Sequence, residues 1–261
     1  MNFKLGKKLI IDISPKRIIL VTIKGDKISN YKLFDIPPGT IVNNKVLEYK
    51  FISETINDYI QNKFFVKSIL ILNIDAIIRI SSYPVVNKNQ LKNVIQYSLQ
   101  EKLPPVNLSK YTTDYRILSY DNEIKAMLVA VETDILESYI IACGKAKLHI
   151  IELAHNFFYN YFSSLDKNNI VIINIQNDSL YIQFLNNGIL NSITKCNYTD
   201  LDRVFSPFIT VEGDVLIKKA YVPISADTTM IKYLENKNIE IIIVNEIYDD
   251  FTPTKSIKTW F

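Results

Sequence analysis

The stretch LIIDISPKRIILVTIKGDKISNYKLF, residues 9–34, decides the fold class. It consists of three apolar runs separated by two short breaks, Ser14-Pro15-Lys16 and Gly25-Asp26. Runs of this length with turn residues between them are typical of antiparallel strands joined by tight turns. The stretch therefore predicts a three-stranded meander with strands at residues 9–13, 17–23 and 27–34.

The same arrangement returns at residues 169–194. There the apolar runs are separated by Asn177-Asp178 and by Asn186-Asn187-Gly188. Repetition of a whole supersecondary unit is a signal of duplicated architecture. The repeat predicts two similar α/β lobes that face a cleft.

Helical and strand patterns alternate after each meander. Apolar residues at helical spacing predict helices at residues 51–62, 89–101, 134–143, 156–164 and 228–236. Apolar or alternating runs predict strands at residues 67–73, 77–81, 114–120, 124–131, 148–153, 215–223 and 239–244. Thr133 is predicted to cap the third helix, and Gly144 is predicted to end it.

Composition excludes several classes of protein. The 261 residues are 48% hydrophobic and 22% charged, which is ordinary for a globular protein. A net charge of +3 is too balanced for an obvious nucleic-acid binder. No apolar stretch approaches the roughly 20 residues of a membrane-spanning helix, and the start lacks a secretory signal. Cys143 and Cys196 are expected to be reduced thiols.

Four local stretches resemble those of a known family: the opening strand Leu9–Ser14, the stretch Ile36–Val42 with its Pro-Pro-Gly, the run Arg79–Pro84 followed by the helix at 89–101 and Leu103-Pro104, and Thr113-Asp114-Tyr115. On these stretches the chain resembles the PilM family of type IV pilus assembly proteins, within the actin-like ATPase superfamily. The resemblance is clear over residues 9–162 and thinner beyond.

This resemblance implies a two-lobed actin-like fold of the α/β class, built as a duplicated ribonuclease-H-like unit. The first lobe would cover residues 1–164, with a small α+β subdomain inserted at about 77–132. The second, shortened lobe would cover residues 165–248, and residues 249–261 would form a C-terminal tail.

The resemblance also implies where ATP and magnesium would bind. Asp12 would face the metal, and Ser14 and Lys16 would belong to a residual first phosphate loop. However, Ser14 stands where the family has glycine, and Pro15 has no N–H to offer a phosphate. Two interpretations of Asp12 stay open: a turn residue, or a remaining contact to magnesium and nucleotide.

The second phosphate loop is equally altered. It reads Asn174-Ile175-Gln176-Asn177-Asp178, and neutral Asn174 cannot replace a metal-facing carboxylate. The expected Gly-Gly pair reads Val222-Pro223-Ile224-Ser225-Ala226. The chain has only six glycines, although phosphate loops depend on glycine for close backbone approach. Catalytic residues and bound cofactors are therefore not expected.

Other constellations are weaker. His149 and His155 do not belong to a recognisable metal-ligand motif and are expected to be structural. The aromatic residues of the helix at 156–164 are expected in the core. Trp260-Phe261 could dock onto a partner or a membrane surface, or belong to a loosely packed tail.

The sequence leaves three hypotheses for function. In the first, the chain is a cytoplasmic scaffold at the inner membrane that binds the short cytoplasmic N-terminal segment of a PilN-like membrane protein, in a first-lobe or inserted-subdomain groove. It would also contact other pilus assembly components and no nucleic acid, and it would reach the membrane only through partners. The second is a nucleotide-dependent switch or weak ATPase, and the third a cytoplasmic component of a type II secretion platform. The chain could also be the first part of a longer fused polypeptide.

Overall fold

The structure is a computed structural model that describes residues 6–25, 27–102, 108–176, 179–209, 216–223 and 226–244. By contacts between residues, the chain divides into two compact units, residues 1–154 and 155–261. The boundary expected from the sequence lay a little later, after residue 164. The predicted features at Leu103-Pro104, Asn177-Asp178, Ile224-Ser225 and residues 249–261, including Trp260-Phe261, lie outside the described residues.

The first unit contains ten strands and three helices within the described ranges. The strands are β1 (Lys7–Ile13), β2 (Arg17–Lys24), β3 (Lys27–Asp35), β4 (Ile41–Val42), β5 (Lys45–Val46), β6 (Lys67–Leu72), β7 (Ile77–Tyr83), β8 (Tyr111–Tyr120), β9 (Ile124–Glu132) and β10 (Ile150–Leu153). The helices are α1 (Tyr49–Ile60), α2 (Lys88–Lys102) and α3 (Thr133–Ala142).

Five of these strands form the first unit's main sheet, in the order β10-β6-β1-β2-β3. The strands β1, β2 and β3 form the predicted antiparallel meander. Strand β6 pairs parallel to β1, and β10 pairs parallel to β6. Successive residues such as Ile10 and Ile11 are both buried. Since successive side chains point to opposite faces, both faces of the sheet are covered at β1.

The predicted inserted subdomain forms a separate sheet of three antiparallel strands, in the order β7-β9-β8. Helix α2 covers it, and Leu91 and Ile95 of the helix pack with Ile124 and Leu128 of β9 in one buried cluster. The subdomain therefore has a small core of its own.

The second unit repeats the main sheet. It contains α4 (Ala154–Leu165), β11 (Ile170–Gln176), β12 (Ser179–Asn186), β13 (Ile189–Cys196), α5 (Leu201–Phe205), β14 (Lys219–Pro223), α6 (Thr228–Asn236) and β15 (Glu240–Val244). The strand order is β13-β12-β11-β14-β15, with an antiparallel meander followed by two parallel strands. This is the order of the first sheet.

The two meanders agree residue by residue. Ile11 pairs with Leu20 in the first, and Ile173 pairs with Ile182 at the matching place in the second. A register shift between Thr22 and Ile23 also has a counterpart, between Phe184 and Leu185. The duplication seen in the sequence is thus a duplication of strand order, register and bulge.

Two local features differ from the sequence expectations. A short hairpin of β4 and β5 comes after the Pro-Pro-Gly stretch, where the sequence analysis predicted no strand. Its turn residues Asn43 and Asn44 have φ angles of 49° and 64°, a conformation that asparagine tolerates and that two-residue hairpins need. Thr133 does not cap α3: it is the first helical residue, and its hydroxyl lies 3.1 Å from that of Thr112.

No helix within the described ranges is both long enough and apolar enough to cross a membrane.

Candidate functional site

The first hairpin of the first unit joins β1 to β2 and contains two of the predicted site residues, Ser14 and Lys16. The Ser14 N–H donates to the Arg17 carbonyl oxygen at 3.0 Å. The Arg17 N–H donates to Ser14 Oγ at 3.2 Å, and Ser14 Oγ donates back to the Arg17 carbonyl. Lys16 is exposed, and its carbonyl accepts from the Ile36 N–H at 2.8 Å.

These bonds limit what the hairpin can offer to a phosphate. A phosphate loop needs backbone N–H groups that point away from the strands. Here the N–H groups of Ser14 and Arg17 are used inside the turn, and Pro15 has none. Within the hairpin this leaves the Lys16 N–H. The hairpin is therefore a poor fit for a triphosphate, and the assignment of Asp12, Ser14 and Lys16 to a nucleotide site stays a prediction.

Asp12 lies near the end of β1, between β2 and β6 in the sheet. Its Oδ1 accepts a hydrogen bond from Asn73 Nδ2 at 2.9 Å, and Asn73 comes directly after β6. Because β1 and β6 are parallel, their carboxyl ends meet at one end of the sheet. Both residues are polar side chains at the ends of apolar runs in the sequence, but the pairing of those two runs, which brings Asn73 to Asp12, was not predicted.

A second polar pair lies on the chain just beyond Asn73. Asn44 Nδ2, in the β4–β5 turn, donates to Asp75 Oδ2 at 3.1 Å. Side-chain contacts thus link the unpredicted hairpin to the connection after β6. Among the described residues, no group of three or more His, Cys, Asp or Glu side chains could hold a metal ion.

The matching position in the second unit is Asn174, which pairs with Tyr181 as Asp12 pairs with Ile19. The amide nitrogen of Asn174 is shielded from solvent and has no hydrogen-bond partner among the described residues. The position therefore offers a neutral amide where the first unit has a carboxylate. Further along, the Ala226 N–H donates to the Pro223 carbonyl oxygen at 2.9 Å.

A surface cleft of about 330 Å³ lies between β3 and α1. Strand β3 is the edge of the first main sheet. The lining combines three aromatic rings, two carboxylates, one ammonium group and two hydroxyls, supplied by Phe34, Phe51, Tyr59, Glu54, Asp58, Lys32 and Thr55. The cleft was not predicted from the sequence, because its two walls come from elements whose mutual placement no sequence pattern gives.

One wall of the cleft is fixed by Tyr59. Its hydroxyl lies 2.8 Å from Thr22 Oγ1 on the neighbouring strand β2, and the ring is almost fully buried. Burial raises the pKa of Tyr59, and the hydrogen bond with Thr22 offsets this only in part. The phenol is therefore neutral at physiological pH and provides a rigid apolar surface.

The remaining predicted features are structural where they are described. His149 Nδ1 accepts from the Ser68 N–H at 3.1 Å, which ties the start of β10 to β6. Cys143 and Cys196 are buried and free, and burial raises their pKa values to about 12 and about 11. Neither thiol is a nucleophile at neutral pH. The side chain of His155 lies outside the described part of the chain.

No protein-family model matches this chain, and no curated protein does. Solved structures do match. A chain of the "PilM-PilN type IV pilus biogenesis complex" has a TM-score of 0.75 at 12% identity, covering 92% of this chain and 88% of that one. A Bacteroides thetaiotaomicron protein "with actin-like ATPase fold and unknown function" has a TM-score of 0.58 at 12% identity, covering 99% and 98%.

A third similar structure is the cytoplasmic domain of EpsL, "an inner membrane component of the type II secretion system of Vibrio cholerae". Its TM-score is 0.59 at 13% identity, covering 97% of this chain and 95% of that one. At such identities the likeness concerns the fold. The actin-like α/β fold predicted from the sequence is confirmed.

Proposed function

We propose that this protein is a cytoplasmic scaffold of a type IV pilus assembly complex, where it binds the short cytoplasmic N-terminal segment of a PilN-like membrane protein. The observation that carries the proposal is the likeness in fold to a chain of the PilM–PilN complex, over nearly the whole of both chains. In this role the protein is held at the inner membrane by its partner.

The bonding of the first hairpin supports a role without nucleotide. Its N–H groups at Ser14 and Arg17 are used within the turn, and Asn174 gives the second unit no matching carboxylate. A scaffold needs the surfaces of the fold and can lose these groups without loss of function.

The cleft beside β3 is the groove that we propose for the segment. An edge strand offers free backbone groups to an extended peptide, and a neighbouring pocket selects its side chains. Cytoplasmic segments next to a membrane span are rich in Lys and Arg. Aromatic walls and the carboxylates of Glu54 and Asp58 suit such side chains, which can place their stems on the rings and their charges on the carboxylates.

Fluorescence anisotropy with labelled peptides tests the proposal. The peptides are the cytoplasmic N-terminal segments of membrane proteins encoded beside this gene, with scrambled peptides as controls. We expect one segment to bind with a Kd in the micromolar range. A double variant, Glu54→Lys with Asp58→Lys, is expected to weaken binding at least about tenfold, since opposite charges are replaced by like charges.

A matched variant makes the result specific. Glu101→Lys with Asp114→Lys changes the net charge equally on the exposed surface of the inserted subdomain, and its binding should stay near that of the wild type. If no segment binds, the scaffold proposal fails. If a segment binds and the cleft variant is unaffected, the function stands and the groove lies elsewhere.

A component of a type II secretion platform is the second candidate, favoured by the likeness in fold to the EpsL cytoplasmic domain. Segments from both kinds of system belong in the same peptide series. Calorimetric titration with Mg-ATP up to millimolar concentration tests the nucleotide hypothesis. We expect no heat of binding; binding that Asp12→Ala abolishes in a folded protein would support a switch instead.

A further inference from the structure

Lysines gather at one end of the first main sheet, the end at which β1 and β6 begin. Lys7 lies directly opposite Lys24 in the β1–β2 pair, and Lys8 lies opposite Lys67 in the β1–β6 pair. Like charges placed directly opposite each other in antiparallel strands are destabilising. The presence of a pair that lowers the stability of the fold indicates that its charge serves a function.

Lys63 belongs to the same end of the sheet. It comes after α1, and its connection to β6 is fixed because the Val66 N–H donates to the Lys7 carbonyl oxygen at 2.9 Å. Its Nζ lies 3.8 Å from the centre of the Tyr59 ring. Loss of hydration lowers the pKa of Lys63, and the charges of Lys32 and Lys7 lower it further. Three of these lysines, Lys7, Lys24 and Lys63, are exposed, and we call them the lysine cluster.

An exposed aromatic side chain stands next to the lysine cluster. Phe64 comes directly after Lys63 and is 80% exposed, and Val66 in the same connection is also exposed. A phenylalanine exposed to this degree costs free energy in water unless it is covered. Peripheral proteins bind membrane surfaces through lysines that surround a protruding apolar side chain. The lysine charges contact the lipid phosphates, and the apolar side chain inserts among the upper parts of the acyl chains.

We propose that the lysine cluster and Phe64 bind directly to an anionic phospholipid bilayer, of the kind rich in phosphatidylglycerol. The scaffold hypothesis places the protein at the membrane only through its partners, so direct binding to lipid goes beyond the proposed function. Asp12 lies near the opposite end of β1. Membrane contact therefore leaves that end of the sheet facing away from the lipid.

Co-sedimentation of the full chain with lipid vesicles tests this proposal without any partner protein. The vesicles contain about one third phosphatidylglycerol in phosphatidylcholine, and pure phosphatidylcholine vesicles are the reference. A triple variant, Lys7→Glu, Lys24→Glu and Lys63→Glu, is expected to reduce partitioning about a hundredfold, since each lysine near an anionic surface contributes about a factor of five. Salt near 1 M should have a similar effect on the wild type.

A matched triple variant changes net charge equally at exposed lysines elsewhere: Lys92→Glu, Lys110→Glu and Lys218→Glu. It should bind the anionic vesicles within about threefold of the wild type. Phe64→Ser should weaken binding several-fold while its salt dependence persists. Thermal unfolding of each variant checks that it is folded.

Three outcomes would overturn the proposal. They are equal binding of the wild type to both kinds of vesicle, equal loss in the two triple variants, and preferential binding of the wild type to single-stranded nucleic acid over the anionic vesicles. Since no partner segment is present, the result is independent of the peptide experiment above.

Discussion

The matching ends of the two main sheets differ in charge. In the first unit, Lys7 faces Lys24 where the sheet begins. In the second unit, Lys219 at the start of β14 faces Glu240 of β15 and lies 3.4 Å from Asp166 Oδ2. One sheet end is left strongly positive and the other is neutralised. Because strand order and register are the same in both, the difference shows that surface charge diverged while the backbone plan was kept.

A second difference lies in the connection after the first parallel strand of each sheet. After β6, the chain builds the inserted subdomain and α3 before it returns as β10. After β14, it needs only α6 to return as β15. The second unit thus has the shared strand order with a short connection, and the first unit has the same strand order with additional elements in that connection.

The shared plan itself can be tested at matching core positions. Leu20 and Ile182 occupy the same place in β2 and β12, and both are fully buried. Leu20→Ala and Ile182→Ala should each lower the free energy of unfolding by about 2–5 kcal/mol, because each leaves a cavity in a packed sheet. Urea unfolding monitored by circular dichroism measures both.

Leu47→Ala is the control, since this side chain is about half exposed and should change stability by less than about 0.5 kcal/mol. If only one of the two substitutions at buried positions lowered the free energy of unfolding by less than about 1 kcal/mol, the matching positions would not be packed alike in the two sheets.

The neutralised end of the second sheet predicts a dependence on pH. Burial raises the pKa of Asp166, but hydrogen bonds from Asn168 and the charge of Lys219 outweigh this, so the net shift is downward. A carboxyl whose folded pKa is lowered stabilises the fold above its unfolded pKa, near 4, and this stability is lost as the pH falls through the folded pKa.

Asp166→Asn should therefore lower the free energy of unfolding by about 2 kcal/mol at neutral pH, because it removes a charge that is paired and hydrogen-bonded. The difference from the wild type should shrink as the pH is lowered below about 4. Urea unfolding across a pH series measures this. A difference that stays constant with pH would show that the charge of Asp166 contributes nothing.

The turns between the second and third strands give the smallest expected effect. Gly25 and Gly188 both have positive φ angles, 63° and 75°. A Cβ at Gly25 would meet nothing within 4 Å, whereas one at Gly188 would lie 2.9 Å from Lys167 Nζ and 3.1 Å from the Ser163 carbonyl oxygen. Gly25→Ala should cost about 1 kcal/mol for its backbone conformation, and Gly188→Ala about 2 kcal/mol. Equal costs in thermal unfolding would contradict the crowding at Gly188.

Local patterns predicted most of the fold. The helix expected at residues 228–236 is α6, with the same bounds, because Asp227 caps it and its apolar residues recur at helical spacing. The hairpin at Asn43-Asn44 was missed because its strands have only two residues each, which is too short for any periodicity to register.

The candidate site was less predictable. The sequence singled out Asp12 and Ser14, but their bonding depends on partners that only the folded sheet supplies. Asn73 reaches Asp12 from the end of the neighbouring strand β6, and the Arg17 carbonyl accepts a hydrogen bond from the Ser14 hydroxyl through the turn geometry. The cleft beside β3 and the facing pair Lys7–Lys24 likewise depend on pairing between segments that are apart in sequence. Single-sequence patterns carry no information of this kind.

The insertion after β6 also has a kinetic consequence. The strands β1, β2 and β3 pair through short turns, so their loop-closure entropy is small and they can associate early. Strand β10 pairs with β6, from which it is separated in sequence by the whole inserted subdomain and α3. This pairing is therefore a contact of high sequence separation. We expect the first sheet to gain its last strand late in folding, after the inserted subdomain has folded on its own small core and brought the two distant segments closer together.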